Sequence, residues 1–237
     1  MALGIYSKGT FMHIGLIGGI GPAATDYYHR GLISRNISAG TKLDLTIAHA
    51  DTRELVQNLA AGAAQQQAEI FASLIRRLAV AGAQAVAVTS MSGQFCVREL
   101  EAISPLPILK LIPVVAAAIQ QRNFKKVGIL GTRTVMETHL YGGIPATVEF
   151  ILPEGEGLDQ VHKAYVDMAI SGRITDAQRE VFFSVGRSLC QSRGADAVIL
   201  GGTDLFLAFE GHDYGFPVLD CGGVHIDAIY RYSVGKS

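Results

Sequence analysis

His13-Ile-Gly-Leu-Ile-Gly-Gly-Ile-Gly21 decides how the chain is read, because it returns as Lys126-Val-Gly-Ile-Leu-Gly-Thr-Arg-Thr134. Each copy is a short apolar run that ends in a glycine turn. That is the pattern of a strand buried on both faces and turning sharply at its carboxyl end. Two more stretches repeat in the same order. Residues 81–90 (AGAQAVAVTS) return as 193–202 (RGADAVILGG), and 106–109 (LPIL) return as 216–219 (FPVL). Gly15 falls on Gly128, Ala83 on Ala195 and Pro107 on Pro217, at offsets of 113, 112 and 110 residues. The competing explanation is that all parallel-sheet strands look alike, being rich in Val, Ile, Leu and Ala. The near-constant offset favours a duplication. The expected fold is α/β: two pseudo-symmetric three-layer domains with mainly parallel sheets and a ligand cleft between them. The expected division is 1–115 and 116–217, with residues from about 218 to 237 packing back onto the first half.

The remaining elements follow from periodicity. Strands are expected at 13–17, 43–48, 85–89, 107–111, 126–130, 148–152, 197–200 and 216–219. Helices are expected at 63–81, 114–121, 159–172 and 176–193, with Thr175 or Asp176 capping the last. In such sheets the loops at the carboxyl ends of the strands form the ligand crevice. Two facing halves would present matching groups to opposite sides of one small molecule.

Composition removes other classes. Lys plus Arg number 20 and Asp plus Glu 21, so no global field draws in nucleic acid or an anionic membrane. Apolar residues make up 49% and charged residues 17%, the balance of a chain with a large core. The longest apolar stretch, 106–119, is broken by Lys110 and Pro113, so no membrane span is expected. Residues 1–11 carry one Lys and no continuous apolar run, so no secretory leader is expected, and translation from Met12 is an alternative start. The three scattered cysteines, Cys96, Cys190 and Cys221, argue for a reducing compartment, the cytoplasm. No CxxC or HxxxH pair is present, so no metal site is expected.

The strand-end loops hold the candidate site residues. Gly19, Gly21 and Pro22 form a turn whose N–H groups would face an anion at the start of the next helix. Thr132 and Thr134 of the second copy offer hydroxyls to a carboxylate. Ser90 and Ser92 end one strand, and Gly202, Thr203 and Asp204 end its counterpart. Ser92 and Asp204 have an alternative role as helix caps. Asp51 and Arg53 follow the second strand. Arg53 would hold a carboxylate bidentately, or Asp51 would simply start a helix beside a surface Arg. Cys221, four residues before His225, is either a reactive thiol or a packed one. Val161, Tyr165 and Met168 read as core.

GGIGPAAT (18–25), VTSMSGQ (88–94), GTRTVMETHLY (131–141) and LGGTDL (200–205), in this order and spacing, resemble the aspartate/glutamate racemase superfamily. The resemblance covers nearly the whole chain beyond Phe11. It implies racemisation of an acidic amino acid without any cofactor, with one thiolate taking the Cα proton and a thiol on the opposite face returning one. It also implies a small carboxylate or amino-acid partner, a homodimer, and a cation for the distal carboxylate near the position of Lys163, which reads otherwise as a helix-surface lysine. The chain departs from the family at both thiol loops, usually CNTAH and GCTE. Ser90, Met91 and Ser92 stand at the first, and Gly202, Thr203 and Asp204 at the second. A serine hydroxyl needs a partner base to ionise, and glycine has no side chain. The two-thiol mechanism therefore cannot operate. Either altered acid–base groups, with Ser90, Thr203 and Asp204 as candidates, replace it, or the scaffold binds a small carboxylate without turning it over. Relatives of this scaffold that decarboxylate or isomerise carboxylates would also be expected to need a thiol.

Overall fold

A computed structural model describes residues 11–236, so residues 1–10, which carry most of the leader reading, lie outside it. Strand β1 (His13–Gly18) is apolar after its first residue and buried from Ile14 onward. It pairs in parallel with β2 (Asp44–His49) on one side and β3 (Ala85–Val88) on the other. The second sheet repeats this plan. Strand β4 (Lys126–Leu130) lies between β5 (Glu149–Ile151) and β6 (Ala197–Leu200), with β7 (Val218–Asp220) beyond β6. Every strand pair is parallel, so each connection must cross over through helix.

The expected strand at 107–111 is reduced to one parallel bridge between Val86 and Ile108. Pro107 offers no N–H, and a helix already begins at Leu111, leaving no room for a longer ladder. The bridge nevertheless occupies the place that β7 holds in the other sheet. Val86 N–H donates to Pro107 O at 2.9 Å, and Val198 N–H donates to Pro217 O at 2.9 Å. Other bonds match in the same way: Gln84 N–H to His13 O, and Asp196 N–H to Lys126 O. Gly15 and Gly128 are matched too. A Cβ on the first would press on Leu78 and Val86, and on the second on Leu189 and Val198. The duplication read from the sequence is thus repeated in hydrogen bonds and in packing.

The helices lie on the sheet faces. They are α1 (Pro22–Ala39), α2 (Thr52–Ala60), α3 (Ala64–Val80), α4 (Val97–Ile103) and α5 (Leu111–Gln121) in the first part of the chain. They continue as α6 (Arg133–Glu137), α7 (Glu156–Ser171), α8 (Asp176–Arg187), α9 (Phe206–Phe209) and α10 (Cys221–Ser233). Thr175 caps α8 in a reciprocal box with Gln178. The expected helix to residue 193 ends at Arg187 and continues as a π turn over Ser188–Ser192. One core fills the second half and takes in Met91, Leu111, Ile112 and Val115 from the first, and another lies between α3 and the first sheet. A third joins Ile14, Leu16, Tyr28 and Leu32 to Ile226 and Ile229 of α10. Full burial of each such aliphatic side chain is worth roughly 1.5–3 kcal/mol.

Candidate functional site

The carboxyl ends of β1, β3, β4 and β6 converge on a cavity of about 460 Å³ that takes lining from both halves. At its polar end stand Ser90, Ser92, Thr132, Thr134, Tyr165 and Asp204. Asp204 is the centre of this group. Its short 3-10 turn, Thr203–Leu205, is held by the Thr203 hydroxyl donating to Thr89 O at 3.0 Å, across to the end of β3. Its carboxylate then reaches the start of α1, where Oδ1 accepts from Ala24 N–H at 2.9 Å. The Tyr165 hydroxyl lies 3.5 Å from Oδ2. The anion position expected at the GGIGPAAT turn is therefore held by a carboxylate of the chain itself, in agreement with the favourable field at a helix N-terminus.

Gly21 makes this approach possible. Its φ is +28°, and a Cβ there would overlap the Asp204 carboxylate. Asp204 is 2% exposed. Burial pushes its carboxyl up to about 6, while the Ala24 N–H and the Tyr165 hydroxyl pull the other way. A carboxyl group balanced near neutrality inside a cavity is suited to taking and returning protons.

The other expected site residues divide. Ser90 lines the cavity and is buried, but its Oγ accepts from Gly93 N–H at 3.2 Å. It, rather than Ser92, caps the turn that follows. No hydrogen bond joins Ser90 to a carboxylate or imidazole among the described residues, so no base is in place to ionise it. Asp204 does not cap its own turn either, since its carboxylate serves α1. Gly202 lies beneath the Tyr165 ring, where an added Cβ would overlap the phenol. Thr203 is buried and joins the halves. Gly19 sits one layer back, its carbonyl accepting from the Thr52 hydroxyl at 2.5 Å. Pro22 is exposed at the first turn of α1 and does not line the cavity.

Asp51 caps α2 through the N–H groups of Arg53 and Glu54, and these bonds hold its carboxyl below the usual range. Arg53 is exposed and outside the lining. Lys163 is also outside it, on the solvent face of α7, with Nζ 2.7 Å from Asp167. The Cys221 thiol is fully buried, and burial together with Asp220 pushes it well above the ordinary thiol range. Burial pushes Cys96 up to about 12. Neither forms a thiolate near neutral pH.

The sequence reading missed the apolar lining from α2 and α7 and two ionisable lining residues. Tyr165 reads as core by its apolar neighbours, and burial and Asp204 hold its hydroxyl firmly protonated. His162 lines the cavity with Nδ1 accepting from Arg133 N–H at 3.1 Å, so its ring hydrogen sits on Nε2. Burial and Arg133 lower its pKa, which keeps it neutral. The available signal was the helical stripe His162, Tyr165, Val166, Ala169 and Ile170. It repeats Thr52, Leu55, Val56, Leu59 and Ala60 at a uniform offset of 110 residues.

The family model of Asp/Glu/hydantoin racemases matches residues 17–229. The chain belongs to that family. Among solved structures it is similar to a candidate Asp/Glu racemase of Yersinia pestis, with a TM-score of 0.80 at 26% identity over 94% of this chain and 99% of that one. An aspartate racemase homologue from Pyrococcus horikoshii gives 0.76 at 24% identity, covering 93% and 98%. A glutamate racemase from Francisella tularensis, solved with D-glutamate, gives 0.67 at 15% identity over 94% and 81%, which is a likeness of fold. No helix among the described residues is long and apolar enough to cross a membrane. The described residues also hold no group of three or more His, Cys, Asp or Glu arranged for a metal ion.

Proposed function

We propose that this racemase-family chain moves a proton at Cα of a small α-amino acid without a cofactor, with Asp204 as the acid–base group. The observation that carries the reading is the buried Asp204 carboxyl, set between the two halves and pushed up to about 6. Ionised, it takes the Cα proton and becomes a carboxylic acid. The electron pair left on Cα delocalises into the substrate carboxylate, for which the hydroxyls of Ser92, Thr132 and Thr134 are the cavity's donors. Return of that proton restores the substrate; inversion takes a proton from water on the opposite side, and the hydroxide left is neutralised by the proton held on Asp204, because Ser90 has no partner that could recover its own proton. Tyr165, with its proton firmly held, donates to Asp204 and steadies the charged form. The division at 115/116, a homodimer and a cytoplasmic location belong to the same proposal. The resemblance extends it to aspartate and glutamate; the cavity supplies their second carboxylate with no lysine or arginine.

A second reading has its own observation. Ser90 has no base partner, and the space at Gly202 is filled by Tyr165. On that reading the chain holds a small carboxylate and does not turn it over.

Solvent exchange decides between them. In D2O, proton NMR should show Cα signals of a substrate amino acid fading with wild-type protein and persisting with Asp204→Asn. Exchange should rise with pH as Asp204 ionises near 6. Absence of exchange with every amino acid at high protein concentration would refute catalysis, and a stabilising ligand would then favour the second reading.

A further inference from the structure

We infer that the cavity selects an amino acid with an apolar side chain rather than an acidic one. The inference rests on the proposed Cα chemistry and names the substrate class for that site. Three observations support it.

Among the described residues no Lys or Arg lines the cavity. Arg53 and Lys163 lie outside the lining, and Arg133 is paired with Glu137 and Asp159. His162 is held neutral. The group that gains charge near neutrality is Asp204, and that charge is negative. The second carboxylate of aspartate or glutamate would therefore lose water against the α2/α7 wall without gaining a counter-ion.

The wall away from the polar end is apolar on both sides. Helix α2 contributes Leu55, Val56 and Leu59, and α7 contributes Val166, Ala169 and Ile170. These residues correspond at the 110-residue offset, so each half lends the same face of the same helix. Val56 and Ile170 are 51% and 65% exposed, among the few large apolar side chains left open to water in the described residues. An apolar substituent entering between α2 and α7 would cover part of that surface, which is the favourable term in binding.

The polar end is sufficient for the rest of the molecule. Ser92, Thr132 and Thr134 offer hydroxyls to one α-carboxylate, and Asp204 faces Cα and the ammonium. A single carboxylate at one end and a hydrocarbon wall at the other describe an amphipathic ligand, in a cavity within the ordinary range for small molecules.

The test pairs leucine and phenylalanine with aspartate and glutamate on the full chain. Calorimetry reads binding, and deuterium uptake at Cα reads turnover. Leucine and phenylalanine should be preferred by on the order of tenfold or more, the scale on which apolar pockets discriminate. Ile170→Arg, which places a cation at a lining position that is 65% exposed, should narrow or reverse that preference. Equal or better binding of aspartate or glutamate to the wild type would overturn the inference and leave the proposed Cα chemistry standing. Silence from all four amino acids in both measurements would overturn both. Retention of the apolar preference in Ile170→Arg would show that this wall does not set selectivity, and would overturn the inference as well.

Discussion

At the scale of single residues the chain gives up stability by burying the Asp204 carboxyl. Asp204 has a native pKa of about 6 against an ordinary 3.8. Its native state therefore binds more protons than the unfolded chain between these values, and stability falls as pH rises through that window. Asp204→Asn keeps an oxygen for the Ala24 N–H and removes the ionisation. We expect it to be more stable than wild type at pH 7 by on the order of 3 kcal/mol, with the gain fading below about pH 4. Urea unfolding at a series of pH values measures this, and a variant no more stable at pH 7 would contradict it. Gly202 makes a second residue-scale prediction. Gly202→Cys drives a Cβ into the Tyr165 ring, an overpacking that costs typically 1–3 kcal/mol. Adding Tyr165→Ala should recover part of that loss, which thermal unfolding of the single and double variants would show. None of this geometry was legible in the sequence. Ser90, Asp204, Thr132 and Thr134 were legible as polar residues ending apolar strands. Tyr165 was hidden because a helix stripe with apolar neighbours looks the same whether it faces core or cavity.

At the scale of elements, the buried strands were the readable part. Residues 13–17, 126–130 and 197–200 are continuous apolar runs because both sheet faces are covered by helices. Residues 107–111 have the same composition, but a proline and an early helix start leave only a bridge. Helix α10 escaped because its Cys221-Gly-Gly opening reads as a loop; the Asp220 side chain, accepting from Gly222 N–H at 2.9 Å, starts the helix. On α10 His225 is fully buried between the Tyr28 hydroxyl and Leu109 O, and burial lowers its pKa to about 4. Here the unfolded chain binds the extra proton, so the stability due to the neutral ring is complete above about 6.5 and is lost as pH falls toward 4. This slope opposes that of Asp204. Relative to His225→Gln, the wild type should lose stability on acidification through this window, and a constant difference would contradict it. The cysteines sort by element as well. Cys96 and Cys221 are buried, while Cys190 in the π turn is part-exposed. A thiol reagent should label Cys190 in the native protein and reach the other two only on unfolding; rapid labelling of Cys221 would contradict its packed state.

For the whole molecule, the duplication explains why a cavity forms where it does. Two sheets of matched order bring their strand ends together, and the joint is tied by Thr203 to Thr89, Asp204 to Ala24 and the Tyr27 ring stacked on Phe206 at 4.3 Å. The near-constant offset made this plan legible, but not the departure from symmetry at the centre, because side-chain reach across the joint has no local signature. At corresponding positions one half places Ser92 and the other Asp204, so the two sides of the cavity differ in their ionisable groups. The most direct test of that central claim is a carbon-13 titration of protein labelled at aspartate carboxyls, with Asp204→Asn assigning the resonance. Asp204 should titrate with a midpoint near 6; a midpoint near 4, in the range of a solvated aspartate, would contradict that claim.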